Sequence, residues 1–188
     1  MIYPDAQGTP TTYTDPDFSQ YYSVAYDNSG DLYVDGLQTG GTNVYAEIPA
    51  GSGTFTEITL NETLYDAGHL QWDNGFLLIQ NVEYPGDEKY AISKVRLSAS
   101  SGTVLKSIAF REWIVQQEVQ PVIRGDTMVA PIGHAFRKRL GFWRYPKGGK
   151  PIMILKGFAE RGHDGLVGAT ISLAPSDLRI RKPNKKSP

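Results

Sequence analysis

Cysteine is absent from the 188 residues. That excludes disulfides, thiolate zinc sites and thiol nucleophiles. It leaves the compartment open, because exported proteins can also lack cysteine. No stretch approaches the roughly 18 consecutive apolar residues that a membrane-spanning helix needs. The start, Met1-Ile2-Tyr3-Pro4-Asp5, has neither a basic nor an apolar region, so no signal peptide is expected here. Histidine occurs only at His69, His134 and His163. Lysine and arginine are missing altogether from residues 1–88.

Hydrophobic residues make up 40% and charged residues 21%, which suits a folded chain of about one domain. The net charge of -1 hides a sharp division. Residues 1–88 carry 14 acids, whereas residues 89–188 carry all 19 Lys and Arg against 6 acids. Opposite patches of this kind steer association and fix register. They predict two facing halves of one assembly, either within a chain or as a homodimer through complementary acidic and basic halves. A nucleic-acid role wants aromatics interleaved with a basic face, whereas the basic residues here are mostly spread over strand-like segments, so no nucleic-acid partner is expected. Residues 181–188 read as a basic, flexible tail.

Two elements recur along the chain. The first is a tight turn: Ile2-Tyr3-Pro4-Asp5-Ala6-Gln7-Gly8, then Ile48-Pro49-Ala50-Gly51-Ser52-Gly53. A degenerate copy is Leu97-Ser98-Ala99-Ser100-Ser101-Gly102, and a fourth is Tyr145-Pro146-Lys147-Gly148-Gly149-Lys150-Pro151. Successive spacings from Pro4 through Pro49 and Ser98 to Pro146 are 45, 49 and 48 residues. The second element is strand, turn, strand. It is seen at Ser23–Val34, His69–Ile79 and Pro121–Ala130, with a plausible fourth copy at Val167–Ile180. Apolar and polar residues alternate with period two in the flanking runs, and the Asn/Asp/Ser-Gly turns tolerate positive φ. No long helical period occurs, and residues 111–119 read as loop or strand.

Four short strands every 45 to 50 residues is the period of a β-propeller blade. The sequence therefore predicts an all-β fold of about four blade units in a single domain, 1–180. Whole blades are expected at about 21–61, 62–112 and 113–160. Half-blades are expected at 1–20, as outer strands, and at 161–180, as inner strands. Joined, the two halves would close a ring. Completion by a second copy, or membership of a larger propeller, are the other arrangements the arithmetic allows.

The Asp27-Asn28-Ser29-Gly30-Asp31-Leu32-Tyr33-Val34 unit resembles the hairpin of bacterial NHL-like and gluconolactonase-like propellers. Phe142-Trp143-Arg144-Tyr145-Pro146-Lys147-Gly148-Gly149-Lys150-Pro151, with Gly168-Ala169-Thr170-Ile171-Ser172, is similar to uncharacterised bacterial propeller proteins with Y-P-x-G-G-x-P repeats. The resemblance spans nearly the whole chain. It implies an exported protein of which this chain is a partial propeller, without a leader.

Loops entering the innermost strand of a blade line one mouth of the central channel. Tyr22, His69, Gln120, His163 and Asp164 occupy such positions and are the candidate ligand-binding residues. The alternative to a binding role is structural: hydrogen-bonded loop residues. Two histidines and a carboxylate can bind a metal, but no close ligand spacing supports one. Gluconolactonase-like propellers hold calcium through Glu, Asn and Asp of inner strands, and oxygen donors are what calcium requires. The matching strands here are Val24-Ala25-Tyr26, Leu70-Gln71-Trp72, Val122-Ile123-Arg124 and Ala169-Thr170-Ile171, which have none of these residues.

Gly148-Gly149-Lys150 lacks the P-loop pattern, and no serine sits in a nucleophile elbow. No catalytic residue and no resident cofactor is expected. Trp72, Trp113 and Trp143 are read as packing between blades, with a carbohydrate or peptide platform as the alternative. The function expected is a non-enzymatic binding or scaffold propeller for a protein, small-molecule or carbohydrate ligand. The alternative is a gluconolactonase-like metal-dependent hydrolase or lyase using calcium.

Overall fold

A computed structural model describes residues 1–2, 8–65, 68–83, 89–111, 120–132 and 139–156. The expected half-blade 161–180, the tail 181–188 and most of the ambiguous 111–119 stretch lie outside them. The described chain is all-β, built from three sheets and without a helix.

The first sheet contains β1 (Gln20–Tyr26), β2 (Leu32–Leu37), β3 (Asn43–Ile48) and β4 (Thr56–Glu57), in that spatial order and antiparallel throughout. β5 (Thr59–Leu60) then leaves this sheet and pairs parallel with the last strand of the second. Ile58 marks the crossing: it is buried, and its N–H donates to the Tyr45 carbonyl at 2.8 Å. The second sheet runs β6 (Leu70–Asp73), β7 (Phe76–Glu83), β8 (Lys89–Ser98) and β9 (Ser101–Ala109) before β5 at its edge. The third holds β10 (Val122–Arg124), β11 (Thr127–Ile132), β12 (Arg139–Arg144) and β13 (Met153–Lys156).

Each sheet turns at the same places in sequence. The Asp27–Gly30, Asn74–Gly75 and Gly125–Asp126 turns join first strand to second in their sheets. Asn74 and Gly75 take φ of 48° and 83°, the paired positive values of a two-residue hairpin that follows the strand twist. The Pro49, Ala99 and Pro146 turns join third strand to fourth.

Period-two alternation makes the layers. On β7, Leu77 and Ile79 face the first sheet and join Tyr33, Tyr45 and Leu70 in one apolar cluster. Leu78 faces the other way, with Ile92, Ile108 and Phe110, against Met128, Ile132 and Trp143 of the third sheet. Trp143 stands edge-on to Phe110, with centroids 6.0 Å apart at 81°, a favoured aromatic geometry. The second sheet is thus buried on both faces. A third cluster covers the remaining face of the first sheet: Leu32, Val34, Val44, Ala46 and Ile48, roofed by Phe18, Ile2, Tyr13 and Phe55.

Candidate functional site

The first strands of the three sheets are laid beside one another. The Ser23 hydroxyl on β1 accepts a hydrogen bond from the Leu70 amide of β6 at 2.9 Å. The Gln71 side chain then brackets Ile123 of β10, donating to its carbonyl at 2.5 Å and accepting from its amide at 2.9 Å. Side chains, rather than a continued backbone ladder, tie one sheet to the next along this seam.

Three of the five candidate residues are described, and each stands one to three residues before a linking residue. Tyr22 precedes Ser23 within a β-bulge, and its hydroxyl donates to Gln20 Oε1 at 2.8 Å. His69 precedes Leu70, and its carbonyl accepts from the Gln80 amide at 2.9 Å. Gln120 lies exposed just before β10. His163 and Asp164 lie outside the described residues. The bulge at Tyr22 and the shared seam bring Tyr22, His69 and Gln120 to the entries of adjoining strands.

Their chemistry differs. Both His69 ring nitrogens are buried and have no hydrogen-bond partner among the described residues. Burial pushes the imidazole down to about 4, so it is neutral near pH 7. A neutral histidine that becomes charged only on unfolding contributes stability above about pH 6.5, and that stability is lost as pH falls toward 4. Over this span the loss amounts to roughly 3 kcal/mol. His69→Gln loses this contribution, so its stability is expected to fall away from that of wild type as pH rises from about 4 to about 6.5. Urea unfolding at half-unit pH steps checks this; parallel curves for the two proteins would refute it.

Asp35 was not among the residues singled out from the sequence. It is 0% exposed, on β2 between the first and second sheets. One carboxylate oxygen accepts from the Gly68 amide at 3.1 Å, and the other has no partner among the described residues. Burial pushes the carboxyl up to about 7, the backbone donors lowering it only in part. Nearby, burial raises the Tyr45 phenol, with the Asp35 charge as a second cause. A polar row of Asn81, Ser93 and Ser107 crosses β7, β8 and β9 through hydroxyl and amide bonds of 2.9 and 2.7 Å.

The tryptophans divide between packing roles. Trp143 is fully buried. Trp72 stacks on Tyr33 at 5.4 Å and 5° across the first seam. Trp113 lies outside the described residues. On the far face of the first sheet a cavity of about 420 Å³ opens, lined by Tyr13, Tyr21, Val24, Tyr26, Leu32 and Phe55, with Met1, Ile2, Val34 and Ile48.

Among the described residues no three His, Asp or Glu side chains are grouped so as to hold a metal ion. No helix of the described residues is long and apolar enough to cross a membrane. No family model matches the chain, and no curated protein matches it.

Proposed function

We propose that the chain is a non-enzymatic binding module of β-propeller type, with its ligand at the strand entries marked by Tyr22, His69 and Gln120. The observation that carries this reading is the seam: three sheets in chain order, with side-chain hydrogen bonds linking the first strand of the first to that of the second, and the first strand of the second to that of the third. Turns recurring at corresponding corners of the sheets support the same reading. Such an arrangement is a rigid frame for loops, and loops on a rigid frame are where binding residues concentrate. The ligand class that fits is a protein, or a small molecule or carbohydrate able to meet a phenol and an amide. His69, neutral and buried, orders this entry rather than serving as a charge.

The competing reading is a calcium-dependent hydrolase or lyase, which requires oxygen donors on the first strands. β1, β6 and β10 offer Asp73 and Ser23 as their only carboxylate or hydroxyl-bearing residues besides tyrosines, and Ser23 is engaged with Leu70. Titration with calcium and with zinc, read by melting temperature, separates the two. A metal at about 100 times its dissociation constant stabilises by roughly 2.7 kcal/mol, or about 5–10 °C for a domain of this size. No shift with either ion is expected. A shift of that size with calcium would overturn the binding-module reading in favour of the hydrolase.

A further inference from the structure

The groove on the far face of the first sheet is walled by aromatic rings. Tyr21 and Tyr26 come from β1, Tyr13 from the stretch before it, and Phe55 from the connection of β3 to β4. Simple alternation from Val24 and Tyr26 would put Tyr22 on this face. The β-bulge between Tyr21 and Ser23 shifts the register, and Tyr21 lines the groove instead. Re-aiming a side chain is a recurrent use of a bulge. The Tyr21 ring is then fixed in place. It stacks on buried Phe18 at 4.8 Å and 9°, and it stands 6.3 Å from the Phe55 ring at 35°. Its hydroxyl accepts from the Asp15 amide at 2.9 Å. Along β1 the groove is open: Val24 and Tyr26 remain 57% and 51% exposed.

Apolar walls alone admit any apolar guest, but charge narrows the choice. Residues 1–57, which build this sheet and its roof, carry eight Asp and Glu and no Lys or Arg. Asp15 stands at the Tyr21 hydroxyl, and Asp27 follows Tyr26 directly. Such a field repels an anionic guest and concentrates a cationic one. The ring faces of tyrosine and phenylalanine attract a cation further, within about 6 Å of the centroid. A bare ammonium gains little from apolar walls, so the guest that uses both features is a cation clothed in methyl groups. The volume of about 420 Å³ lies within the range of about 300–1,000 Å³ typical of small-molecule sites.

We propose that this groove binds a small quaternary ammonium compound, its methylated nitrogen seated against the Tyr21, Tyr26 and Phe55 rings. The inference goes beyond the binding reading above. Tyr22, His69 and Gln120 do not line the groove, and either reading can fail alone.

Choline is the probe, and its uncharged isostere, with carbon in place of the nitrogen, is the comparison. Calorimetric titration of the full chain at low salt should show choline binding at one site, roughly tenfold or more tighter than the isostere. Tyr26→Leu keeps an apolar side chain at an exposed position and removes the ring. It should weaken choline roughly fivefold and leave the isostere unchanged. Tyr26→Phe keeps the ring and should keep the affinity. Equal affinities for the two probes would overturn the proposal in favour of a purely apolar pocket. Choline binding untouched by Tyr26→Leu would overturn it too, by placing the cation on surface acids. Binding of neither probe would mean that the protein itself fills the groove, through a second copy or another segment of the chain, and would overturn it equally.

Discussion

Replacing Gly148 by alanine should destabilise the protein by roughly 3 kcal/mol or more, while the same change at Gly149 should cost only about 1–2 kcal/mol. The two glycines are neighbours with similar backbones, at φ of 66° and 80°. A left-handed conformation penalises any L side chain equally at both. The space around them is not equal. A Cβ on Gly149 meets nothing within 4 Å, but one on Gly148 would lie 2.4 Å from the Ala109 carbonyl oxygen and 2.9 Å from Ile108 Cγ2.

Neither neighbour can easily give way. The Ala109 carbonyl accepts the Gly149 amide at 2.9 Å, and the Gly149 carbonyl accepts the Arg111 amide at 2.7 Å. Ile108 is part of the apolar cluster shared by the second and third sheets. Relief of the clash must therefore break a backbone link between those sheets or open their core. Denaturant unfolding of the two variants measures the difference directly. Equal costs would mean that the link adapts, and that strain at positive φ is the whole effect.

This pair shows what local pattern can and cannot disclose. Gly148-Gly149 is readable as a turn because glycine tolerates positive φ, and the structure places it between β12 and β13, with Gly149 bridged to Phe110. That one glycine must also admit the end of β9 depends on residues about forty positions earlier, and no spacing rule carries that information. The same division holds elsewhere. Strands around Asn74-Gly75 follow from alternation and the turn, and the all-β class follows from their number. Asp35 occupies the polar slot of an alternating run, where a solvent-facing side chain is the natural reading. It is buried because the second sheet lies over that face, a fact of packing rather than of period. His69 reads as a loop residue after Gly68, yet its ring nitrogens are buried. The groove gathers Tyr21 and Tyr26 of β1 with Tyr13 and Phe55 from two other stretches, each of which alone is an ordinary surface aromatic.

Asp35→Asn should make the protein increasingly more stable than wild type as pH rises from about 4 to about 7, by up to roughly 4 kcal/mol. The sign follows from burial. In the folded chain the carboxyl titrates at about 7 instead of 3.8, so between these values the folded state holds a proton that the unfolded state has released. Stability from the neutral carboxyl is complete below about 3.8 and is lost as pH climbs through about 7. Asparagine keeps the shape and an oxygen for the Gly68 amide, but has no proton to lose. His69 acts oppositely over nearly the same interval, since its stabilising neutrality is lost toward low pH. In wild type the two slopes largely offset each other between about pH 4 and 6.5. Removing Asp35 exposes the rising slope of His69, and removing His69 exposes the falling slope of Asp35. Asp126→Asn, at an exposed ion pair with Arg144 of 3.5 Å, serves as the comparison and should change stability by less than about 1 kcal/mol. The measurement is the difference in unfolding free energy between each variant and wild type from pH 4 to 8. A flat difference for Asp35→Asn would mean that the buried carboxylate is stabilised at neutral pH by a partner beyond the Gly68 amide.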